Sequence, residues 1–317
     1  MNGYERHIPR EQFGIATPPD FFTSLDWQDT TNLSGVRQAE VQRGYERQPT
    51  FAALSLLAEA PKHALNEQES VALAFFGALS DHIVAEDDDL LVVSKPPLLP
   101  VHYTDKFSFG VEELLRLAKG SGVHHANRID ADTSGVVLFT KNWQSLARLT
   151  NQFAGADPDR EKIYKAILDG AIQDEQRVHI FVTAAANNTM RVATTEDRRD
   201  ADTRVYDTYT VFTPQQLVRD RRTPRDTRTL VDVDIYTGRK HQIRVIAAQA
   251  LNAPLLGDPI YNGSPDGRDA APRTMLHASR ATFVHPTSGE RVSFQADLPA
   301  DFRRVLNRHK VVRNLAA

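Results

Sequence analysis

The sequence predicts an α+β protein built on a mixed, largely antiparallel sheet. Many short runs have the alternating, β-branched composition of strands, and stretches with the apolar repeat of helices lie between them. These runs do not follow the strict strand–helix alternation that is typical of a parallel α/β sheet. No internal repeat is evident, so a single mixed sheet with flanking helices is the expected architecture.

Residues 1–80 are expected to form an N-terminal helical extension of unknown role. Residues 51–58 show helical spacing. A second helix is indicated by Asn66, a preferred N-cap residue, because Glu69 three positions later completes a capping box. The composition then becomes strand-like, and the main domain is expected to span 81–317.

The main domain is expected to open with a hairpin and a proline-rich turn. Residues 83–95 have the pattern of two strands joined by an acidic turn. Three prolines between 96 and 100 then keep the chain extended. A helix with one apolar face follows at 111–118, with Ser108 as its expected N-cap.

Residues 127–135 place charged and hydroxyl side chains directly before an apolar strand at 136–139. Such a loop can present a carboxylate from the end of a rigid sheet, where chemistry is commonly placed. It is also typical of an ordinary turn, since Asp, Thr, Ser and Gly are all turn residues. The loop contains two aspartates, Asp130 and Asp132, and spacing alone does not choose between them.

Residues 161–167 alternate as a strand that places Tyr164 on the same face as Lys162. Further short strands are expected at 178–182, 205–212 and 230–235, with a last run beginning at Met275. An exposed, Arg-rich hairpin tip is expected at 219–225. The chain is expected to end in a basic helix or tail at 302–313.

A second dense group of polar residues lies at 237–244, at the end of a strand. Thr237 and Gly238 break the strand, and a helix follows. Its expected buried residues are Ile243, Ile246, Ala247 and Ala250. Arg244 lies on a different face, from which it can reach a carboxylate on a neighbouring loop. Taken alone, this arginine is equally well explained by a structural ion pair.

Composition excludes several kinds of protein. The chain has no Cys, which excludes disulfides, thiolate metal sites and cysteine nucleophiles. No apolar run reaches the length of about 18 residues that a membrane span needs, so no membrane partner is expected. The polar N-terminus does not have the pattern of a secretory signal, and a cytoplasmic location is expected.

Charge is distributed unevenly along the chain. The net charge is −3, yet residues 201–317 contain 18 Lys and Arg against 12 Asp and Glu. A basic second half could supply an electrostatic surface for phosphates. It is equally typical of an Arg-rich solvated surface, and charge alone favours neither interpretation.

Six motifs in a fixed order make residues 83–298 resemble the RluA-type pseudouridine synthases. The matches are 90–102 to the opening strand and proline turn, 127–139 to HRLDxxTSG, 162–166 to K-x-Y-x-A, 237–244 to TGRxHQIR, 254–261 to PLLGDPxY, and 276–278 to LHA. Each motif alone is weakly specific, whereas all six in order are not expected by chance. The resemblance implies the pseudouridine synthase fold, a long mixed sheet with flanking helices and a central cleft between two subdomains.

The resemblance also implies roles for the residues that match the family's motifs. Asp130 corresponds to the catalytic aspartate, Tyr164 to the tyrosine that packs on the target base, and Arg244 to the arginine paired with that aspartate. Four further residues are expected to contact the substrate: Arg128, Thr133, Lys162 and Ile243. Asp132 is expected to serve only in the turn.

The chain departs from the family's loop motif at Asn127, where the family has His. Asn keeps a hydrogen-bond donor and an acceptor, but it is smaller than His and cannot titrate. Because this position flanks the aspartate, we expect altered loop packing or RNA contact, with activity retained.

The resemblance implies an RNA pseudouridine synthase that converts specific uridines of ribosomal or transfer RNA with an aspartate nucleophile. The reaction breaks an N-glycosidic bond, turns the uracil and rejoins it through carbon, without a redox step. Neither a cofactor nor a metal is therefore expected. The expected partner is RNA, and the enzyme is expected to be a monomer.

Two other functions fit parts of the sequence. Residues 130–133 match the D-x-D-x-T loop of haloacid-dehalogenase-type phosphatases, but those enzymes need an apolar strand before the loop and a later pair of metal-binding carboxylates. The same fold could also form a catalytically silent RNA-binding protein, which only Asn127 supports. The presence of Asp130, Tyr164 and Arg244 argues against that alternative.

Overall fold

The computed structural model describes residues 65–103, 109–120, 122–154, 160–221, 227–266 and 270–315. The expected helix at 51–58 and residues 222–225 of the expected hairpin tip at 219–225 lie outside these residues. The described chain divides into two compact units. The first comprises the chain through Thr150 together with His285–Gly289, and the second comprises Asn151–Val284 together with the chain from Glu290.

The first unit contains a small antiparallel sheet with helices packed on it. Its elements are α1 (Glu67–Gly77), α2 (Leu79–His82), β1 (Ile83–Glu86), β2 (Leu90–Lys95), α3 (Val111–Lys119), β3 (His124–His125), β4 (Ser134–Thr140) and the start of α4 (Trp143–Ala154). Strand β2 pairs with β1 and with β4, and β3 pairs with β4, all in antiparallel register.

The start of α1 has the capping box that the sequence predicts. Asn66 Oδ1 accepts a hydrogen bond from Glu69 N at 2.8 Å, and Glu69 Oε2 accepts one from Asn66 N at 2.9 Å. Phe75 and Phe76 of α1 are buried in the same hydrophobic core as the inner residues of β2 and β4. Helix α1 is therefore part of this unit's core, and the division of the chain after residue 80 stays a prediction.

Helix α3 begins at Val111 and its N-cap is Gly110, whereas Ser108, the expected cap residue, lies outside the described residues. Glu113 Oε2 accepts hydrogen bonds from Gly110 N at 3.0 Å and Tyr103 N at 2.9 Å. A carboxylate in the first turn thus satisfies the backbone donors that a Ser hydroxyl was expected to satisfy, and it also interacts favourably with the helix dipole.

The second unit is a larger antiparallel sheet with several helices. Its elements are β5 (Glu161–Leu168), β6 (Gln176–Ala185), a 3₁₀ turn (Ala186–Asn188), β7 (Thr189–Val192), α5 (Thr195–Arg199), β8 (Val205–Asp220), β9 (Thr227–Ile235), α6 (Gln242–Gln249), β10 (Leu276–Val284), β11 (Arg291–Gln295), α7 (Ala300–Arg308) and β12 (His309–Asn314). The strand order is β11-β10-β5-β9-β8-β6-β7, and β12 pairs with the end of β8. These pairings are antiparallel, and the α+β prediction is confirmed.

Three expectations for the second unit need correction. Strand β8 continues past its expected end through Pro214, because the β8–β9 register shifts beside this residue and the sheet can accommodate a proline there. The expected basic helix or tail at 302–313 is α7 followed by a paired strand, β12. Ala250, expected on the buried face of α6, is exposed at the C-terminal end of that helix.

Helix α7 is held on the sheet by a compact apolar cluster. Phe302 and Val305 pack with Ile167 of β5 and with Leu256 and Met275 from the loops beside it. This packing fixes one face of β5, the strand that carries Lys162 and Tyr164. No helix in the described ranges has the length and apolar character needed to cross a membrane.

Candidate active site

Asp130 lies on the loop that joins β3 to β4. Ala126 N donates to Leu138 O at 2.7 Å, and Leu138 N donates to Oδ1 of Asn127 at 2.8 Å. The Asn127 amide oxygen therefore acts as a backbone carbonyl would, and it prolongs the β3–β4 pairing by one step. This contact gives Asn127 a structural role at the position where the chain departs from the family's histidine.

The backbone turns sharply directly after Asp130. Thr133 N donates to Asp130 O at 3.1 Å, which closes a tight turn. Asp130 is half-buried, whereas Thr133 and Ser134 are buried where the chain enters β4. The loop thus presents Asp130 close to a rigid strand, and the substrate contact expected of Thr133 stays a prediction.

Lys95, at the end of β2, fixes this turn from within the unit. Its Nζ donates to Ala131 O at 2.9 Å, to Leu99 O at 2.6 Å and to Pro96 O at 2.8 Å, and the residue is only 1% exposed. A buried ammonium needs several hydrogen-bond acceptors to offset its lost hydration. Because Ala131 directly follows Asp130, Lys95 joins the proline turn to the backbone of the candidate catalytic residue.

Arg128 is the exposed residue on the same loop. Its NH1 donates to Nε2 of His102 at 2.9 Å. The Nδ1 of His102 lies 2.7 Å from Tyr103 O, which can only accept, so Nδ1 carries the ring proton and Nε2 is an acceptor. Arg128 is therefore oriented by a neutral histidine two residues before Asp130.

Strand β5 of the second unit carries Tyr164 and Lys162 on one face, as the alternation predicts. Both residues are buried, at 7% and 8% exposure. Tyr164 is paired with Ala278 of β10 on one side and with Val233 of β9 on the other. Strands on both sides thus fix the backbone that carries the tyrosine expected to pack on the target base.

Burial lowers the pKa of Lys162 to about 8, with the Arg160 guanidinium as a further cause. Its ammonium lies 5.3 Å from the centre of the Phe153 ring. A side chain at Gly238 would place its Cβ 3.3 Å from Lys162 Nζ. The glycine before α6 therefore leaves room for a cation that is poised between its charged and neutral forms.

Arg244 forms a buried ion pair with Asp258. Its Nε donates to Asp258 Oδ2 at 2.7 Å, and its NH2 donates to Oδ1 at 2.8 Å, so the pair is bidentate. Burial raises the pKa of the Asp258 carboxyl, but the hydrogen bonds and charge of Arg244 outweigh burial and hold this pKa below its usual range. A bidentate carboxylate fixes the plane of the guanidinium as well as its position.

The loop that supplies Asp258 is itself tightly constrained. Gly257 has φ +75°, and a Cβ there would lie 2.0 Å from Arg273 O, so only glycine fits. Asp258 Oδ1 also accepts from Ile260 N at 2.9 Å and from Tyr261 N at 3.1 Å. The Tyr261 ring lies 5.3 Å from the guanidinium of Arg244, which adds a cation–π contact.

The same loop reaches the start of α6 through Tyr261. The Tyr261 hydroxyl accepts from Met190 N at 2.9 Å and lies 2.9 Å from Nδ1 of His241. His241 has the left-handed φ of +52° and is the N-cap of α6. The loop that carries Asp258 is therefore bonded, through Tyr261, to the N-cap of the helix that carries Arg244.

The expected site residues thus fall into two groups. Arg128, Asp130 and Thr133 share one loop of the first unit. Lys162 and Tyr164 share a face of β5, and Arg244 follows the buried Ile243 on α6. Arg244 does reach a carboxylate on a neighbouring loop, that of Asp258. Its expected pairing with Asp130 stays a prediction.

Sequence reasoning assigned no role to Lys95 or Asp258. Each has a weak signal in the sequence, because each is a charged residue directly before a proline and close to an apolar run. In the described ranges no group of three or more His, Asp or Glu could hold a metal ion. A D-x-D-x-T phosphatase would need later carboxylates that bind a metal, whereas Asp258 is bonded to Arg244, which weakens the phosphatase alternative.

Comparison with known proteins identifies a family that matches the chain. Residues 89–249, slightly more than half of the chain, match the family model described as RNA pseudouridylate synthase. The chain is 31% identical over 264 residues to ribosomal large subunit pseudouridine synthase D of Zymomonas mobilis, covering 77% of this chain and 74% of that protein. It is 29% identical over 246 residues to the protein of the same name from Xanthomonas campestris, covering 71% and 68%.

A solved structure shows the same fold. Human RNA Pseudouridylate Synthase Domain Containing 1 aligns with a TM-score of 0.59 and 23% sequence identity, over 74% of this chain and 90% of that one. At this identity the likeness concerns the fold alone. It agrees with the α+β architecture of the two units.

Proposed function

Because the chain belongs to the RNA pseudouridylate synthase family, and is therefore an isomerase that acts on RNA, we propose that Asp130 is its catalytic carboxylate. We further propose that its substrates are uridines of ribosomal RNA. The observation that supports the first proposal most directly is the fixed turn after Asp130. Lys95 and Thr133 both bond to the backbone of this turn, so the backbone that carries the carboxylate is held in one position.

The reaction is an isomerisation in which atoms balance within the nucleotide. The bond from uracil N1 to C1′ of the ribose breaks, the base turns, and a bond from C5 to C1′ forms. The proton leaves C5, and N1 gains a proton. An ionised carboxylate can serve in this sequence as nucleophile or as base. No cofactor or metal enters the reaction.

Arg244 is proposed to keep Asp130 ionised. An adjacent cation lowers a carboxyl pKa by about 1–3 units, which favours the charged form that the reaction needs. Asp258 supports this role because it fixes two nitrogens of the guanidinium in one plane. The buried Asp258 thereby orients Arg244 for its proposed partner.

Tyr164 is proposed to stack on the target base once that base has left the RNA stack. Extrusion of a base costs a few kcal/mol, and base–aromatic stacking contributes about 1–3 kcal/mol in return. Two neighbouring strands fix the backbone of Tyr164. The backbone that carries the tyrosine is therefore already held in place when the base arrives.

Ribosomal RNA is favoured as the substrate because two relatives at about this chain's length carry names of ribosomal large subunit enzymes. Transfer RNA is the alternative. A ribosomal substrate places the reaction in the cytoplasm, and a monomer suffices for it. Mapping pseudouridines in ribosomal and transfer RNA from cells with and without the gene distinguishes the two substrates.

The central test is the substitution Asp130→Asn, with Asp132→Asn as the matched control on the same loop. We expect Asp130→Asn to abolish pseudouridine formation while RNA binding persists, because only the charge of the carboxylate is lost. Asp132→Asn should retain activity. Pseudouridine is measured by carbodiimide labelling and primer extension on ribosomal RNA.

Activity measurements also distinguish the proposed enzyme from the second candidate function, a catalytically silent RNA-binding protein. Equal activity in Asp130→Asn and the wild type would refute the catalytic role of this residue. If the wild-type protein binds RNA but forms no pseudouridine in any RNA tested, it is a catalytically silent RNA-binding protein, the alternative that Asn127 supports.

A further inference from the structure

An aromatic and cationic row extends away from Asp130 across the first unit. It consists of Arg128, His102, His125, Arg116, His124 and Trp143, each in contact with the next directly or through Glu112. We call this set the Trp143–Arg128 row. The reaction proposed above uses none of these residues except Arg128.

Trp143 is the most exposed end of the row, with 68% of its surface accessible. Its ring lies 3.9 Å from the ring of His124, with 31° between their planes. One face of the indole is therefore covered by an imidazole, and the high exposure means that much of its remaining surface faces solvent. Large aromatic side chains usually bury most of their surface, so this exposure indicates a binding role.

The supporting imidazole is itself fixed. Arg116 NH2 donates to His124 Nδ1 at 2.8 Å, and Arg116 Nε donates to Val123 O at 2.8 Å. Burial lowers the pKa of His124, and the Arg116 guanidinium lowers it further. His124 is thus a neutral ring that stacks on Trp143, and the indole is held ready without a partner having to order it.

Glu112 joins this half of the row to the other. Its buried carboxylate forms an ion pair with Arg116 and a hydrogen bond with Nδ1 of His125. The ring of His125 lies 5.2 Å from that of His102, whose Nε2 accepts from Arg128. Because Glu112 is buried and paired with the Arg116 guanidinium, the accessible part of the row offers guanidinium groups and aromatic faces but little negative charge.

Stacking faces that alternate with cations are the features that bind single-stranded nucleic acid, since every base has a π face and every linkage has a phosphate. A protein partner would instead require a larger continuous apolar patch. We propose that the Trp143–Arg128 row binds the single-stranded RNA next to the target uridine, with a neighbouring base stacked on the indole of Trp143. This inference rests on the proposed function, because the row ends beside Asp130.

The test uses the fluorescence of Trp143 itself. The chain contains 2 Trp, so in the full-length Trp27→Phe protein Trp143 is the sole tryptophan. A short single-stranded RNA of mixed sequence is titrated, with the matching RNA duplex as a comparison. We expect the single strand to quench the fluorescence strongly and the duplex weakly, since bases in a duplex already stack on each other.

Substitutions then measure the contribution to binding. Trp143→Ala should weaken the affinity for the single strand about 5- to 150-fold, the range for loss of one stacked aromatic. Trp143→Phe should retain most of the affinity, which separates stacking from a folding defect. Val312→Ala, at another exposed apolar residue on β12, should bind as the wild type does.

The possible outcomes are distinct from those for the proposed function. Unchanged fluorescence on adding RNA, or equal affinity in Trp143→Ala and the wild type, overturns the inference even if the enzyme forms pseudouridine. Quenching by the single strand together with loss of affinity in Trp143→Ala supports it, even if the wild type forms no pseudouridine.

Discussion

The Asp258–Arg244 pair offers the sharpest test of how the site is held. Asp258→Asn keeps the volume and one oxygen of the side chain but removes the charge. The amide nitrogen takes the place of an oxygen that now accepts from Arg244 (Nε to Oδ2, 2.7 Å), so a donor faces a donor. The side chains of Asp258 and Arg244 are 0% and 5% exposed, and the guanidinium would be left buried with only part of its hydrogen bonding.

Breaking a buried pair by removing one partner lowers the free energy of unfolding by about 3–5 kcal/mol. The domain should survive at moderate temperature, since total stability is typically about 5–15 kcal/mol. The guanidinium should shift, and because a displacement of about 1 Å in a catalytic group costs about 100-fold in rate, kcat/KM should fall by about that factor.

A matched control is provided by Asp301→Asn. Asp301 also forms a bidentate pair with a buried arginine, Arg273, at 2.6 and 3.3 Å. Arg273 additionally donates to the backbone at Thr274 O and Leu276 O, so the loss of stability should be smaller, about 1.5–3 kcal/mol. This substitution should leave kcat/KM of the folded enzyme unchanged, because Arg273 bonds to Thr274 and Leu276 and Asp301 bonds to Phe302, and these three residues are not proposed site residues.

Urea unfolding and pseudouridine formation, both at a temperature where each variant is folded, provide the two measurements. If kcat/KM of Asp258→Asn equals that of the wild type, the positioning role of this carboxylate is refuted. Equal losses of activity in both variants would attribute the effect to general destabilisation.

The same pair has a defined pH dependence. The pKa of Asp258 is lowered in the folded state because Arg244 outweighs burial. Its stabilisation is therefore fully present above the unfolded pKa of about 3.9, and it is lost as the pH falls through the folded pKa. The difference in unfolding free energy between the wild type and Asp258→Asn should be constant from neutral pH down to the unfolded pKa of about 3.9. Below that pH the difference should shrink.

Three further predictions concern other residues of the site. Lys95→Met removes hydrogen bonds to three carbonyls. It should lower the free energy of unfolding by about 2–5 kcal/mol and reduce kcat more than RNA affinity. An unchanged kcat would contradict the role given to Lys95. Asn127→Ala leaves Leu138 N without its side-chain acceptor and should lower the free energy of unfolding by about 1–3 kcal/mol, which thermal unfolding measures. Asn127→Asp should retain the acceptor and most of the stability. Lys162 has its pKa lowered to about 8, so RNA affinity should weaken as the pH rises through that value if its charge binds phosphate, and Lys162→Met should abolish this dependence. At a pH between the folded pKa of Lys162 and the higher pKa of an ordinary lysine, the unfolded chain still holds a proton on Lys162 that the folded chain has lost. The contribution of Lys162 to stability should therefore rise with pH in this range.

Much of the fold followed from local patterns. The capping box at Asn66, the alternation along β5 and the break at 237–238 each depend on residues a few positions apart, and each is present in the structure. The start of α3 and the end of the chain differ from what local patterns suggested. Glu113 accepts the hydrogen bond of Gly110 N at the start of α3, which is again a local contact, whereas the terminal helix ends at Arg308 because β8 draws residues 309–314 into its sheet.

The sequence by itself determined the family, because the order of six motifs carries information that no single spacing has. It also singled out Asp130, Tyr164 and Arg244 by their match to those motifs. Only the tertiary structure identified what holds them. Lys95 bonds to Ala131 across 36 positions of the chain, Asp258 reaches Arg244 from a later loop, and Trp143 lies on His124. Such contacts depend on where separate elements come together in space, and no periodicity along the chain records that.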